Sequence, residues 1–146
     1  MLVVARTANA RLETLNDDGT GSLIDLAKTF PSTFETVQTD GDDLAAFLYT
    51  SGTTGRSKGA MLTQNNLLSN ALTLTDYWQF TAKDVLIHAL PIYHTHGLFV
   101  AINVCLISGA SIILLPKFNI EDIITNIPNA TCFMGVPTFY TRLLSE

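Results

Sequence analysis

The chain has 146 residues, 47% of them hydrophobic and 14% charged, with a formal net charge of −5 at neutral pH. That length suits one globular unit with a real core, and the charged fraction lies well under the roughly one quarter of an ordinary soluble domain, so much of the chain expects a cover. No basic stripe offers a footprint to nucleic acid, no basic amphipathic helix suits a membrane surface, and the longest apolar stretch, residues 97–107 with Asn103 inside it, is too short to span a bilayer.

The first 43 residues carry three basic and eight acidic side chains, whereas the remainder holds five of each. This lead-in is rich in Thr, Asp, Gly and Ser, with turn signals at 16–19 and 40–43 and no firm element between them. From Leu44 the texture changes. Residues 44–49 read as a buried strand, ending in a segment at 50–59 too polar and glycine-rich for helix or strand. Thr63 is placed to cap a helix whose face would be Leu67, Leu68, Ala71, Leu72, Thr75 and Trp78.

A second strand is expected at 85–90, closed by Pro91, and a turn at 93–97 leads into 98–107, apolar on nearly every side and hence a buried helix. Ser108 and Gly109 end it. A third strand follows at 111–115, then a short helix capped by Asn119 with Glu121 and Asp122 in its first turn and Pro128 at its end. Residues 131–134 make a fourth strand, and Pro137 opens a last helix expected to run to the end of the chain. Strands alternating with helices call for parallel pairing and right-handed crossovers, so the fold class is α/β. Cys105 and Cys132 lie in apolar runs, where buried reduced thiols are expected. With no secretory signal in residues 1–6, the expected location is cytoplasmic, or the mitochondrial matrix in a eukaryote.

The segment Thr50-Ser-Gly-Thr-Thr-Gly-Arg-Ser-Lys-Gly59 is the strongest chemical signal. Its glycines let successive backbone N–H groups approach and point at one anion, its hydroxyls add donors, and Lys58 adds a point charge; together they predict a triphosphate ligand. The kinase and ATPase loop requires a second Gly and a magnesium-binding hydroxyl where Ser57 and Gly59 stand, so that pattern fails, and the dinucleotide G-x-G-x-x-G is absent. A plain solvated turn does not need so many donors between a strand and a helix.

Tyr49-Thr-Ser-Gly-Thr-Thr-Gly-Arg-Ser-Lys-Gly59 resembles the phosphate-binding loop of the adenylate-forming superfamily, the AMP-dependent synthetases and ligases. Leu90-Pro-Ile-Tyr-His-Thr-His-Gly97 and Gly135-Val-Pro-Thr138 resemble the signatures that follow it, and the detailed wording of 76–78, 88–98, 115–118 and 134–143 is most similar to malonyl-CoA synthetases. The resemblance covers 44–146 well and 10–43 loosely. It implies that the chain is an incomplete large N-terminal AMP-binding domain: 1–43 a loosely specified lead-in, 44–146 the phosphate-loop core with a partial parallel sheet, and the C-terminal domain absent.

By the same resemblance, ATP and a carboxylic acid, malonate first and methylmalonate or another short acid next, give an acyl-adenylate and pyrophosphate, and the thiol of coenzyme A then displaces AMP. A carboxylate attacking an α-phosphate brings like charges together, so the site must supply cations and N–H donors, with Mg2+ as a clamp. Thr50, Ser51, Gly52, Thr53, Thr54, Gly55 and Lys58 are expected to hold the nucleotide, Lys58 also assisting the chemistry; Arg56 is as readily a solvated loop residue. His94 matches the active-site histidine beside the reacting carboxylate. His96 matches the acyl-pocket wall, where it would hold the second carboxylate of a dicarboxylic acid.

His88, inside a strand, is read as structural, Arg142 as a surface residue, and Phe139 and Tyr140 as packing. A metal pair at His94 and His96 finds no third ligand at zinc spacing, so no metal-ligating residue is assigned. The alternatives are a fatty-acid or aryl-CoA ligase, a non-catalytic nucleotide-binding or interaction module, and an unrelated P-loop enzyme. Acting alone, these residues are expected to be inactive, and their half-covered sheet to expose apolar surface. Oligomeric state is left open.

Overall fold

The computed structural model describes residues 7–50 and 58–145. The chain divides into two compact units, residues 1–38 and 39–146. In the first, the expected turn forms: the Gly19 N–H donates to the Asn16 carbonyl at 2.9 Å with Gly19 at φ 77°, while the Asp18 carboxylate accepts from the Thr20 N–H at 2.9 Å. A short helix not anticipated from the sequence, α1 (Ser22–Ala27), follows Gly21. It has no buried residue, and six residues are too few to show an apolar stripe.

The second unit begins with an antiparallel hairpin, β1 (Leu44–Thr50) and β2 (Lys58–Thr63), in which Thr50 stands opposite Lys58 and Tyr49 opposite Gly59. Two expectations change here. The strand at 44–49 forms, but it is not buried, with Leu44, Phe47 and Tyr49 exposed. Residues 58 and 59, expected in an irregular segment, open a second strand. Gly59 serves close packing: a Cβ there would strike the ring of Phe47, its diagonal neighbour on β1.

Thr63 ends β2 and caps α2 (Gln64–Tyr77) in a reciprocal box: the Asn66 N–H donates to Thr63 Oγ1 at 3.2 Å, and the Thr63 N–H to Asn66 Oδ1 at 3.0 Å. The buried stripe of α2 is rotated from the expected one. Ala71 is buried and Leu67, Leu74 and Thr75 half-buried, while Leu68, Leu72 and Trp78 stay exposed.

The core is a three-stranded parallel sheet in the order β4-β3-β5, with β3 (Val85–His88) central, β4 (Ser111–Leu114) on one side and β5 (Cys132–Met134) on the other. After β3 the chain enters a π-helix (His96–Ile102) that continues as α3 (Asn103–Ser108) and stops at Gly109, which takes the left-handed conformation at φ 73°. After β4, the Asp122 N–H donates to the Asn119 side chain at 2.9 Å to start α4 (Ile120–Asn126), and Pro128 falls in a 3-10 turn (Ile127–Asn129).

The last helix, α5 (Pro137–Leu143), does not run on as expected. The Leu144 N–H closes it onto the Tyr140 carbonyl at 3.0 Å.

Strand alternation sorts the core onto two faces. Leu86 packs with Ala101 and Cys105 of the π-helix and α3, and Ile87 and Ala89 with Ile123 of α4, joined there by Phe133, Phe139 and Leu143. Helices thus lie on both sides of a parallel sheet, the α/β class expected. The helix expected to be buried all round is buried along Gly97, Ala101, Val104 and Cys105, whereas Leu106 is 72% exposed. Both cysteines are free, and burial pushes the Cys105 thiol up to about 11 and raises Cys132 as well.

Candidate functional site

In parallel sheets with helices on both faces, ligands bind beyond the carboxyl ends of the strands, where loops can converge without disturbing the core. Two of the sequence motifs lie there. Residues 89–97 leave the end of β3, and residues 135–138 leave the end of β5. The first part of the turn after β3, the segment after β4 and Phe139 of α5 surround a cavity of about 430 Å³, lined by Ala89 to Tyr93, Leu114 to Phe118 and Phe139. Its walls are mainly apolar, and Lys117 is its one cationic lining residue. Gly135 keeps this corner compact, because a Cβ there would press on both Phe133 and Phe139.

His94 and His96 sit beside this cavity's wall segment but do not line it. His94 is exposed, its ring 4.7 Å from that of Tyr93 and tilted 51° to it. Its N–H donates to the Pro91 carbonyl at 3.2 Å, and its own carbonyl accepts from Leu98 N–H at 3.0 Å. His96 is half-buried and opens the π-helix. Such helices are rare and are found frequently at functional sites.

The turn is held from beneath. His88 is fully buried; its Nδ1 accepts from the Leu90 N–H at 3.2 Å, which leaves Nε2 to donate to the Gly97 carbonyl at 3.0 Å. A structural role was expected for this histidine, and the two bonds supply it.

Of the residues expected to hold a nucleotide, Ser51, Gly52, Thr53, Thr54 and Gly55 lie outside the described residues, as does Arg56. Thr50 and Lys58 flank them at the ends of β1 and β2, directly opposite each other, and Lys58 is exposed. Arg142 lies 4.8 Å over the Phe118 ring, so its packing partner is an aromatic face. Tyr140 donates its hydroxyl to the Phe133 carbonyl at 3.2 Å, and Phe139 stacks on Phe118 with centroids 4.0 Å apart, in keeping with packing roles for both.

At the other end of β3, sequence reasoning missed a polar knot. The Asp84 carboxylate accepts from the Thr81 N–H at 2.8 Å, the Thr131 hydroxyl at 2.8 Å and the Thr81 hydroxyl at 3.0 Å, and Thr131 Oγ1 accepts from Val85 N–H at 2.9 Å. The Thr81 N–H, then the Thr131 and Thr81 hydroxyls, hold the Asp84 carboxyl below its ordinary range. No local signal marks a pair 47 positions apart.

A parallel sheet flanked by helices, with the motifs at 90–97 and 135–138 leaving its strand ends, is the architecture of the N-terminal domain of adenylate-forming enzymes. The chain belongs to the family of AMP-binding enzymes, whose sequence model matches residues 2–146. It is 40% identical over 116 residues to a malonate–CoA ligase of Arabidopsis thaliana, covering 70% of this chain and 19% of that protein. The crystal structure of apo MatB from Rhodopseudomonas palustris superposes with a TM-score of 0.94 at 59% identity, and that of its ATP-bound form with 0.93 at 60%, each covering 99% of this chain and 29% of the other. A malonyl-CoA ligase in a ternary product complex with methylmalonyl-CoA and AMP superposes with a TM-score of 0.69 at 39% identity, over 74% of this chain and 24% of the other. The chain therefore spans about a fifth of the length of the curated relatives it matches.

Proposed function

We propose that this chain forms the phosphate-loop core of an AMP-forming acyl-CoA synthetase that activates malonate. The observation that carries the reading is the 40% identity with a malonate–CoA ligase. Likeness across 99% of the chain to an ATP-bound structure supports ATP as the nucleotide.

In this reading residues 1–43 lead into an AMP-binding domain and 44–146 supply its phosphate-loop core. The malonate carboxylate attacks the α-phosphorus of ATP, the bond to the β-phosphate oxygen breaks, and pyrophosphate leaves. The coenzyme A thiol then attacks the acyl carbon, AMP departs with the carboxyl oxygen, and the thiol proton is released to solvent. Thr50, Ser51, Gly52, Thr53, Thr54, Gly55 and Lys58 hold the phosphates, Lys58 neutralising charge as pyrophosphate separates. His94 hydrogen-bonds the reacting carboxylate, and His96 takes the second one by a charge-assisted bond. Mg2+, when bound, supplies Lewis-acid stabilisation of the phosphate oxygens. Among the described residues no three His, Cys, Asp or Glu side chains gather to hold a cation, and none is assigned to it.

Two free thiols fit a reducing compartment, the cytosol or the mitochondrial matrix, and among the described residues no helix is long and apolar enough to cross a membrane.

The test is carboxylate-dependent exchange of labelled pyrophosphate into ATP by the gene product containing this chain, with malonate, acetate and octanoate compared. Malonate-dependent exchange is expected. Preference for octanoate would move the assignment to a fatty-acid ligase, ATP binding without exchange to a non-catalytic module, and ATP hydrolysis without any acid to an unrelated nucleotidase.

A further inference from the structure

We propose that His88 is a positioning residue of this site: its imidazole ties the beginning of the 90–97 turn to its end and thereby fixes where His94 and His96 stand. The inference rests on the proposed function for its catalytic consequence, though not for its structural one.

A buried histidine in a strand is ordinarily a satisfied core residue, and the partners separate that case from this one. His88 is 0% exposed, yet it spends neither ring nitrogen on a neighbouring strand. Both go to the segment that carries the two candidate site histidines. The Leu90 N–H can only donate, so Nδ1 is an acceptor; the Gly97 carbonyl can only accept, so Nε2 carries the proton. The ring thus acts as a rigid strut between two backbone groups seven residues apart in sequence, using one fixed tautomer.

The geometry around Gly97 explains why a strut is needed. The backbone of Gly97 packs so closely on Pro91 that a Cβ would collide with the Pro91 carbonyl. That same carbonyl accepts from the His94 N–H at 3.2 Å. Pro91, His94 and Gly97 therefore meet at one point, and His88 pulls Gly97 onto it from the buried side. An apolar residue at 88 would fill the volume but leave the Leu90 N–H and Gly97 carbonyl without their present partner in a buried setting.

Two substitutions divide the strut. In His88→Asn the side-chain oxygen stands near the place of Nδ1 and keeps the Leu90 bond, but the reach to Gly97 is lost. In His88→Gln the amide nitrogen stands near the place of Nε2 and keeps the Gly97 bond. In the gene product containing this chain, His88→Asn is expected to lower malonate-dependent pyrophosphate exchange about tenfold or more, with KM for ATP unmoved, and His88→Gln to stay within about threefold of the unmodified enzyme. Placed on a background carrying both His94→Ala and His96→Ala, His88→Asn should cost less than about threefold further, because the turn it holds has already lost the two side chains it positions.

Hydrogen exchange of the peptide containing residues 91–98, measured without substrate, should speed up in the Asn variant and not in the Gln variant. That measurement stands whether or not the malonate reading does: an unmodified enzyme with no exchange defeats the function, and the amide protection still decides the strut. Equal protection and activity in Asn and unmodified protein, or the same fold-loss with and without the two histidines His94 and His96, would overturn the proposal. If His88→Asn fails to fold, the Gln variant decides alone, since a folded Gln variant that loses amide protection also overturns it.

Discussion

At its amino end, β3 is joined to β5 by Asp84, whose carboxylate collects three donors from Thr81 and Thr131; at its carboxyl end the polar contacts run instead into a turn, through His88 to Leu90 and Gly97. The first set joins elements of the core to each other. The second joins the core to the segment that carries the candidate residues His94 and His96. A parallel sheet offers this division because its strand ends are not equivalent: crossover helices return beneath one edge, and loops converge at the other. Disturbing the amino end should therefore cost stability, and disturbing the carboxyl end activity.

The largest effect is expected away from both ends, at the hairpin. Lys58→Ala should reduce malonate-dependent pyrophosphate exchange by about 10²- to 10³-fold while leaving the melting temperature in place, since the residue is exposed at the start of β2. A large drop in melting temperature would make Lys58 a structural residue and remove it from the phosphate site. Gly97→Ala should come next and blur the two ends, because the new methyl meets backbone rather than a movable side chain. The expected cost is about 1–3 kcal/mol of stability by denaturant melting, with activity lost in the folded fraction too. A fully active Gly97→Ala protein would show that the turn need not hold this position.

A subtler effect belongs to His96, half-buried where the π-helix begins. His96→Ala should lower kcat/KM for malonate by about tenfold, the scale of one hydrogen bond to a charged group, and leave that for acetate nearly unchanged. Equal losses for both acids would assign His96 to the turn rather than to the second carboxylate.

Much of the parallel sheet and its helices was legible because residues 63–143 carry unambiguous punctuation. Apolar runs end at Pro91, Gly109 and Pro128, and Thr63 and Asn119 cap the helices they precede, each accepting from the N–H three residues on. The hairpin was read only by half. Lys-Gly-Ala-Met-Leu-Thr at 58–63 lacks a clean alternation, and the sequence at 51–57 before it offers no Asn-Gly or Asp-Gly pair to announce a hairpin. Burial of β1 was misjudged because an apolar run reads the same in a covered strand and an exposed one. For the site, the motifs brought His94, His96 and Lys58 forward, but what supports them escaped. The bond from His88 to Gly97 depends on how tightly the chain turns at Pro91, a tertiary fact with no local signature.

Asp84 offers the smallest and cleanest test of the amino end. Its carboxyl is held below the ordinary range chiefly by the Thr81 N–H and then by the Thr131 hydroxyl, so the unfolded chain takes up a proton at a higher pH than the folded one does. The stabilising contribution is therefore complete above the unfolded-state value of about 3.9 and is lost as pH falls through the lower, folded-state value. Asp84→Asn removes the charge while keeping the shape. Its melting temperature should lie below that of the unmodified protein at neutral pH by a constant gap, and the gap should narrow only under acid conditions below about pH 4, with other carboxylates cancelling in the comparison. Pyrophosphate exchange at neutral pH should not change in the folded protein. A gap that persists undiminished into acid would mean that the loss comes from the amide's N–H groups facing the Thr81 and Thr131 donors rather than from the missing charge, and a loss of exchange without a loss of stability would mean that the two ends of β3 are coupled after all.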